Sequence, residues 1–228
     1  MGKSGRILSF QLRFRPAADA ALWRRVNETI LRWDDRLALR HVKQASGPDP
    51  DVDDAWSAAR AEQLAALTAG PDRFMWIIFS GEGEDHGINV LGKSIEVAYS
   101  IKIPWPKDPP KDRFVALLDV LSGVRLPALA MVYDHETKDQ ALVMEGLKGL
   151  TRIPPLAYLD ADAAQRAGGS AKLHAAPAPA EVTDIAGGVL VASRKELKGE
   201  TTAAERKQLA AIARHLGITE VHPLVLAA

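Results

Sequence analysis

The chain has 228 residues, 47% of them hydrophobic and 25% charged, with 29 basic residues against 29 acidic ones. A chain of this length buries roughly 70–75% of its unfolded surface and needs no covalent staple. The zero net charge removes the electrostatic case for a nucleic-acid binder, which normally carries a basic excess, and the absence of cysteine excludes disulfides, thiolate metal sites and a cysteine nucleophile.

The start of the chain, Met1-Gly-Lys-Ser-Gly-Arg6, is basic, but Ile7 to Phe14 alternates with polar residues and makes no signal-peptide core. Arg6 breaks the myristoylation pattern. No apolar run approaches the ~20 residues of a membrane helix. A cytoplasmic location with no membrane partner is the expectation.

Ile7 to Arg15 predicts a first strand, with Leu8, Phe10, Leu12 and Phe14 on one face and Gln11, Arg13 and Arg15 on the other. Leu22, Val26, Ile30, Trp33 and Leu37 recur at helical steps, which reads Trp33 as core packing, while Arg24, Arg25, Glu28 and Arg32 take the wet side. Gly47 to Asp54 is a loop. Asp53 or Asp54 is placed to cap a helix running through Trp56, Ala59, Leu64 and Leu67 to Gly70-Pro71. Phe74 to Phe79 is an apolar run short enough for a strand covered on both faces. After the acidic turn Ser80 to Gly87 comes a strand over Ile88 to Leu91, then a turn at Gly92. Ile95, Val97, Tyr99, Ile101 and Ile103 then alternate with Glu96, Ala98, Ser100 and Lys102, the clearest strand signal in the chain.

Asp108 as cap and Pro109 as first helical residue start a helix with the stripe Phe114, Leu117, Leu118 and Leu121, closed by Gly123. Ala128 to Tyr133 reads as a strand, Asp134 to Asp139 as a polar turn, and Gln140 to Leu150 as a helix weakened by Gly146 and Gly149. Ile153 to Leu159 is restricted by prolines. A short helix covers Asp160 to Ala167, and the Gly/Ala/Pro-rich stretch Gly168 to Ala180 is the candidate mobile segment. Gly187 to Ser193 reads as a strand opened by two glycines. Thr202 with Glu205 is a capping box opening a helix through Leu209, Ile212, Ala213 and Leu216, ended by Gly217. The fold class these elements predict is α+β, a central mostly antiparallel sheet packed by amphipathic helices. They form a single domain over 1–228 with a candidate subdomain break within 168–181.

Chemistry is sparse. Gly87-Ile-Asn-Val-Leu-Gly-Lys-Ser94 satisfies the phosphate-loop pattern letter for letter. In such a loop backbone N–H groups wrap phosphates and a helix must follow, whereas here the period after Ser94 is that of a strand. The six histidines include no pair at metal-ligand helical spacing. Asp85-His86 and Asp134-His135-Glu136 each set a carboxylate beside an imidazole, a metal or acid–base arrangement only if the fold joins them; read alone they are solvated turns. No catalytic residue, metal or cofactor is assigned. The acidic loops, Asp49, Asp51, Asp53 and Asp54 in one and Glu82, Glu84 and Asp85 in the other, read either as solvated caps or as a docking surface for a basic partner.

The C-terminal third carries, in order, Pro154-Pro-Leu-Ala-Tyr-Leu159, a variable Ala/Gly/Pro-rich spacer, Ile185-Ala-Gly-Gly-Val-Leu-Val191, and a helix ending in Ala210-Ala-Ile-Ala-Arg-His-Leu-Gly217. This order resembles the immunity protein 52 family of bacterial polymorphic toxin systems, although the family's Gly-Trp pair is absent and Leu156-Ala157 stands near its position. The likeness spans roughly residues 110 to 222 and transfers no catalytic residue. It implies a cytoplasmic, non-enzymatic antitoxin that neutralises one cognate toxin, a nuclease effector in the family's usual pairing, encoded by a neighbouring gene and delivered by a secretion system. Its toxin-binding residues would be the seven acidic ones above. The competing readings are a nucleotide- or metal-dependent hydrolase built on Gly87–Ser94 or the Asp/His clusters, and an assembly protein of a secretion apparatus. Oligomeric state is left open.

Overall fold

Period-2 stretches become strands because alternate residues can then line one face of a sheet, and this governs most of the chain. The computed structural model describes residues 7–15, 20–33, 41–44, 53–54, 76–80, 87–93, 96–104, 110–134, 154–195, 197 and 202–216. The chain divides into two compact units, 1–127 and 128–228, so the stretch 168–181 lies inside the second. Both units are antiparallel sheets accompanied by helices, an α+β fold.

In the first unit the elements are β1 (Ile7–Phe14), α1 (Ala20–Trp33), β2 (His41–Gln44), β3 (Asp53–Asp54), β4 (Trp76–Ser80), β5 (Gly87–Lys93), β6 (Glu96–Pro104) and α2 (Pro110–Ser122). The strands lie in the order β3-β2-β4-β5-β6-β1, each neighbouring pair antiparallel. Register aligns Val42, Phe79, Ile88, Ile101 and Phe10 in one row across five strands. Directly opposed residues share a face, so Phe10 of β1 and Ile101 of β6 lie on the same side of the sheet. Phe10 and Ile101 in that row are fully buried. Two helices cover this face at Phe10, whose ring lies 6.0 Å from that of Trp33 on α1 and 5.4 Å, edge-on, from that of Phe114 on α2. Val26 and Ile30 on α1, and Leu117, Leu118 and Leu121 on α2, are buried as their spacing predicts. The Arg113 guanidinium lies 5.0 Å over the Trp33 ring, and Arg125 donates to the Arg15 carbonyl.

Ser9, Gln11 and Arg13 of β1 are buried, so this strand is covered on both faces. Two expectations for this unit change. Asp53 and Asp54, read as the end of a loop, form β3, opposite Lys43 and Val42 of a strand, β2, too short and too polar to announce itself; the helix that either was expected to cap lies outside the described residues. Gly92 is no turn: the ladder continues through Gly92↔Val97 to Lys93↔Glu96, and the chain reverses between β5 and β6. α2 is described from Pro110; the expected cap Asp108 and first residue Pro109 lie outside the described residues. The expected helix through Trp56 to Leu67 lies outside the described residues.

The second unit holds β7 (Leu129–Asp134), β8 (Leu156–Asp160), α3 (Ala161–Arg166), α4 (Ser170–His174), β9 (Glu181–Ile185), β10 (Gly188–Ala192) and α5 (Ala203–Leu216), with strand order β7-β8-β10-β9, all antiparallel. Leu129, Leu159 and Val189 stand in one row and Met131, Ala157 and Val191 in the next. Ala163, Ala164 and Ala167, then Leu173, Ile212 and Leu216, pack on them from the helical layer. Tyr158 and Leu190 on the opposite face are buried too, as expected of strands that read as unbroken apolar runs. Asp160 caps α3 by accepting from the Ala163 N–H at 2.7 Å.

Here also the structure corrects the reading. The proline-restricted stretch before Leu159 supplies a central strand, β8, because Pro154 and Pro155 precede the ladder instead of interrupting it. Gly168 to Ala180 contains a helix, α4, anchored by Leu173 in the core. Glu181 to Ile185, unremarked in the sequence, is the edge strand β9. The expected helix over Gln140 to Leu150 lies outside the described residues.

Candidate functional site

The seven acidic residues proposed for docking divide between described and undescribed stretches. Asp49, Asp51, Glu82, Glu84 and Asp85 lie outside the described residues. Asp53 and Asp54 form β3, the last strand in the order of the first unit's sheet. Register adds a relation the sequence does not show. Asp54 stands opposite Val42, one residue from His41, which pairs with Ser80, which pairs with Gly87. Glu82, Glu84 and Asp85 belong to the connection between Ser80 and Gly87, anchored at that same end of the sheet. Strands are ~4.8 Å apart, so Asp54 is set within two strand spacings of the anchor of the second acidic loop. Asp49 and Asp51 belong to the connection that leaves β2 at its other end, after Gln44.

The phosphate-loop match lands on a strand. Gly87 to Leu91 pair with β4 on one side, and Gly87 to Lys93 with β6 on the other. Backbone N–H groups committed to two ladders are not arranged to wrap an anion, and the segment is followed by β6 rather than a helix. Asp134 ends β7; Asp85, His86, His135 and Glu136 lie outside the described residues. Among the described residues, no three His, Cys, Asp or Glu side chains are grouped to hold a metal ion.

Two polar clusters in the second unit escaped the sequence reading. In one, Ser170 and His174 of α4 converge on Asp184 Oδ1 of β9, at 3.4 and 3.1 Å. The His174 hydrogen bond, then its charge and the Ser170 hydroxyl, hold the Asp184 carboxyl below the usual carboxylate range. Both donors meet one carboxylate oxygen at an exposed surface, which is a helix-to-strand clamp and not the serine-to-imidazole bond that nucleophilic catalysis needs.

The other cluster lines an open cleft of about 410 Å³ formed by Ala178, Pro179, Ser193, Arg194, Lys195, Glu205, Gln208 and Leu209. Its frame is rigid. Ser193 donates its hydroxyl to the Pro154 carbonyl at 2.8 Å and its N–H to the Pro155 carbonyl at 3.0 Å. Arg194, with only 7% of its side chain exposed, reaches Glu205 Oε1 at 3.2 Å. Glu205 Oε2 accepts the Thr202 N–H at 2.7 Å, while the Thr202 hydroxyl accepts the Glu205 N–H at 3.2 Å. The Thr202 N–H, and then the Thr202 hydroxyl and Arg194, hold the Glu205 carboxyl below its ordinary range. The capping box is legible in the sequence. Its second duty, tying down a buried arginine 11 residues upstream, is not.

No helix among the described residues is long and apolar enough to cross a membrane. No protein-family model matches the chain, and no curated protein matches it. Among solved structures, the chain is similar to the Pseudomonas aeruginosa T6SS protein PA0821, with a TM-score of 0.63 and 14% sequence identity over 95% of this chain and 74% of that one. At that identity the likeness is one of fold, and a fold alone does not carry function.

Proposed function

We propose that this chain is an immunity protein of a type VI secretion toxin system, a cytoplasmic antitoxin that binds one cognate toxin encoded by a neighbouring gene and neutralises it. The observation that carries the reading is the fold shared with a T6SS protein over 95% of the chain, joined to the order of motifs between Pro154 and Gly217 that resembles the immunity protein 52 family. The acidic end of the first unit's sheet, with Asp53 and Asp54 on its outermost strand and Glu82, Glu84 and Asp85 in the connection anchored nearby, supports a contact surface for a basic partner. A standard-size interface of ~1,600 Å² in total is small beside the 11,533 Å² surface of the chain.

The test is co-expression with the neighbouring gene product. A protein that kills when expressed alone, is harmless with this chain, and forms a stoichiometric complex with it carries the reading. The hydrolase alternative rests on Gly87–Ser94. Saturable Mg-nucleotide binding by the pure protein, lost in Lys93→Ala and accompanied by no toxin partner, would replace the immunity reading with it.

A further inference from the structure

Strand β9 ends the strand order of the second unit's sheet, and among the described residues no strand lies beyond it. Its neighbours decide which of its backbone groups face outward. A strand residue turns its N–H and C=O to one side, and the next residue turns them to the other. Asp160 of β8 gives its N–H to Ala128, on the β7 side, and Ser193, just past β10, gives its N–H to Pro155, just before β8. Val189 and Val191 of β10 therefore turn to β8, while Gly188, Leu190 and Ala192 turn to β9, where they meet Ile185, Thr183 and Glu181. The groups left on the outer edge are those of Val182 and Asp184. Register runs one to one from Glu181 to Ile185, so no bulge twists this edge away, and the strand holds neither proline nor lysine to block a further strand. Glu181, Thr183 and Asp184 are exposed along it. Asp184 is drawn toward α4 by His174 and Ser170.

We propose that β9 pairs with β9 of a second copy of this chain, antiparallel about a two-fold axis at Thr183. The outward groups of Val182 and Asp184 stand symmetrically about Thr183, so a second copy offers complementary N–H and C=O groups at the same spacing. In this register all five residues overlap. Asp184 stands opposite the partner's Val182 and Glu181 opposite the partner's Ile185, so no two like charges are opposed. Shifting the partner by two residues either way shortens the overlap to three residues, and one of those shifts sets Asp184 against the partner's Asp184. The two Thr183 side chains meet at the axis as a non-hydrogen-bonded pair, the closer kind, in which threonines pair favourably. This self-matching selects a second copy as the occupant. A contact one short strand long belongs with the small, transient interfaces below ~1,200 Å², so the dimer is weak and concentration-dependent. The edge lies within the second unit, and its test does not depend on whether the chain neutralises a toxin.

The test is sedimentation equilibrium of the full chain, alone and as two variants, Thr183→Lys and Thr183→Glu. Thr183 is exposed, and neither substitution touches the backbone ladder to β10. The expected result is a reversible dimer of the parent at concentrations below ~1 mM. Each variant by itself sets like charges face to face at the axis, and its dimer should weaken at least about tenfold. An equimolar mixture of the two variants sets a lysine against a glutamate there and should dimerise again. A parent that stays monomeric up to ~1 mM, a dimer that survives in both single variants, or a mixture no more associated than either variant alone each overturns the proposal.

Discussion

At the scale of single residues, two positions show how tightly the sheets are closed. Phe10 is fully buried between Trp33 and Phe114. Truncating it removes the ring both helices pack on, and Phe10→Ala should cost ~3–5 kcal/mol of stability in urea denaturation. Gly188 opens β10 where a Cβ would meet the Leu159 carbonyl at 2.1 Å and the Tyr158 ring at 2.8 Å. The backbone and a buried ring must both move, so Gly188→Ala should destabilise by more than ~2 kcal/mol. Gly123, past the end of α2, is the control. A Cβ there meets nothing closer than the Val120 carbonyl at 3.7 Å, and Gly123→Ala should be neutral or stabilise by up to ~1 kcal/mol through the unfolded chain. Two adjacent glycines announce a strand opening in the sequence. Gly187 turns the chain with φ +70° while Gly188 makes room for a neighbour, and only the packed neighbour separates those tasks. Tyr158 is similar. Its burial, then the nearby Asp160 charge, push its hydroxyl up to about 12, a property of its place in β8 and not of its type.

Among the elements, α5 is the most completely specified by its own sequence. The reciprocal bonds of Thr202 and Glu205 form as the spacing predicts, and Thr202→Ala should cost ~1 kcal/mol. The carboxyl of Glu205 is held below its ordinary value of 4.5. A carboxylate whose pKa is lower in the folded state stabilises the fold above its unfolded value. That contribution is lost as the pH falls through the folded value. Glu205 therefore contributes fully above about pH 4.5 and progressively less below it. In Glu205→Gln the stability measured against pH should be flatter on the acid side than in the parent. Elements lacking such local signals are hidden: β2, His-Val-Lys-Gln, has one strand-forming side chain, and β9, although it holds Val182, Thr183 and Ile185, has no buried face; both are held in ladders by a neighbouring strand. The composition of Gly168 to Ala180 suggests a mobile linker, yet Leu173 seats α4 in the core. One buried leucine outweighs a weak local preference, since helices this short depend on tertiary packing.

For the molecule as a whole, charge is distributed and not summed. A chain of zero net charge carries Asp53 and Asp54 on the first strand in the order of the first unit's sheet and a part-buried Arg194–Glu205 pair in the second unit. If the acidic end docks the toxin, reversing Glu82, Glu84 and Asp85 to lysine should slow association about tenfold at low salt and much less at high salt, read by surface-binding kinetics. Unchanged kinetics would remove that loop from the interface.

The sequence by itself determined the α+β class, the buried stripes of α1, α2 and α5, the strand nature of β1, β4, β5 and β6, and the cap at Thr202. These follow from period and from hydrogen bonds spanning three or four residues, which a linear reading contains. Tertiary structure alone decided that Asp53 and Asp54 form an edge strand, that both faces of β1 are covered, that Gly87 to Lys93 is held in two ladders, and that Arg194 is pinned by Glu205 at the floor of a cleft. Each of these depends on which distant segment lies alongside, and strand pairing and burial are settled by the packed whole rather than by neighbours in the chain.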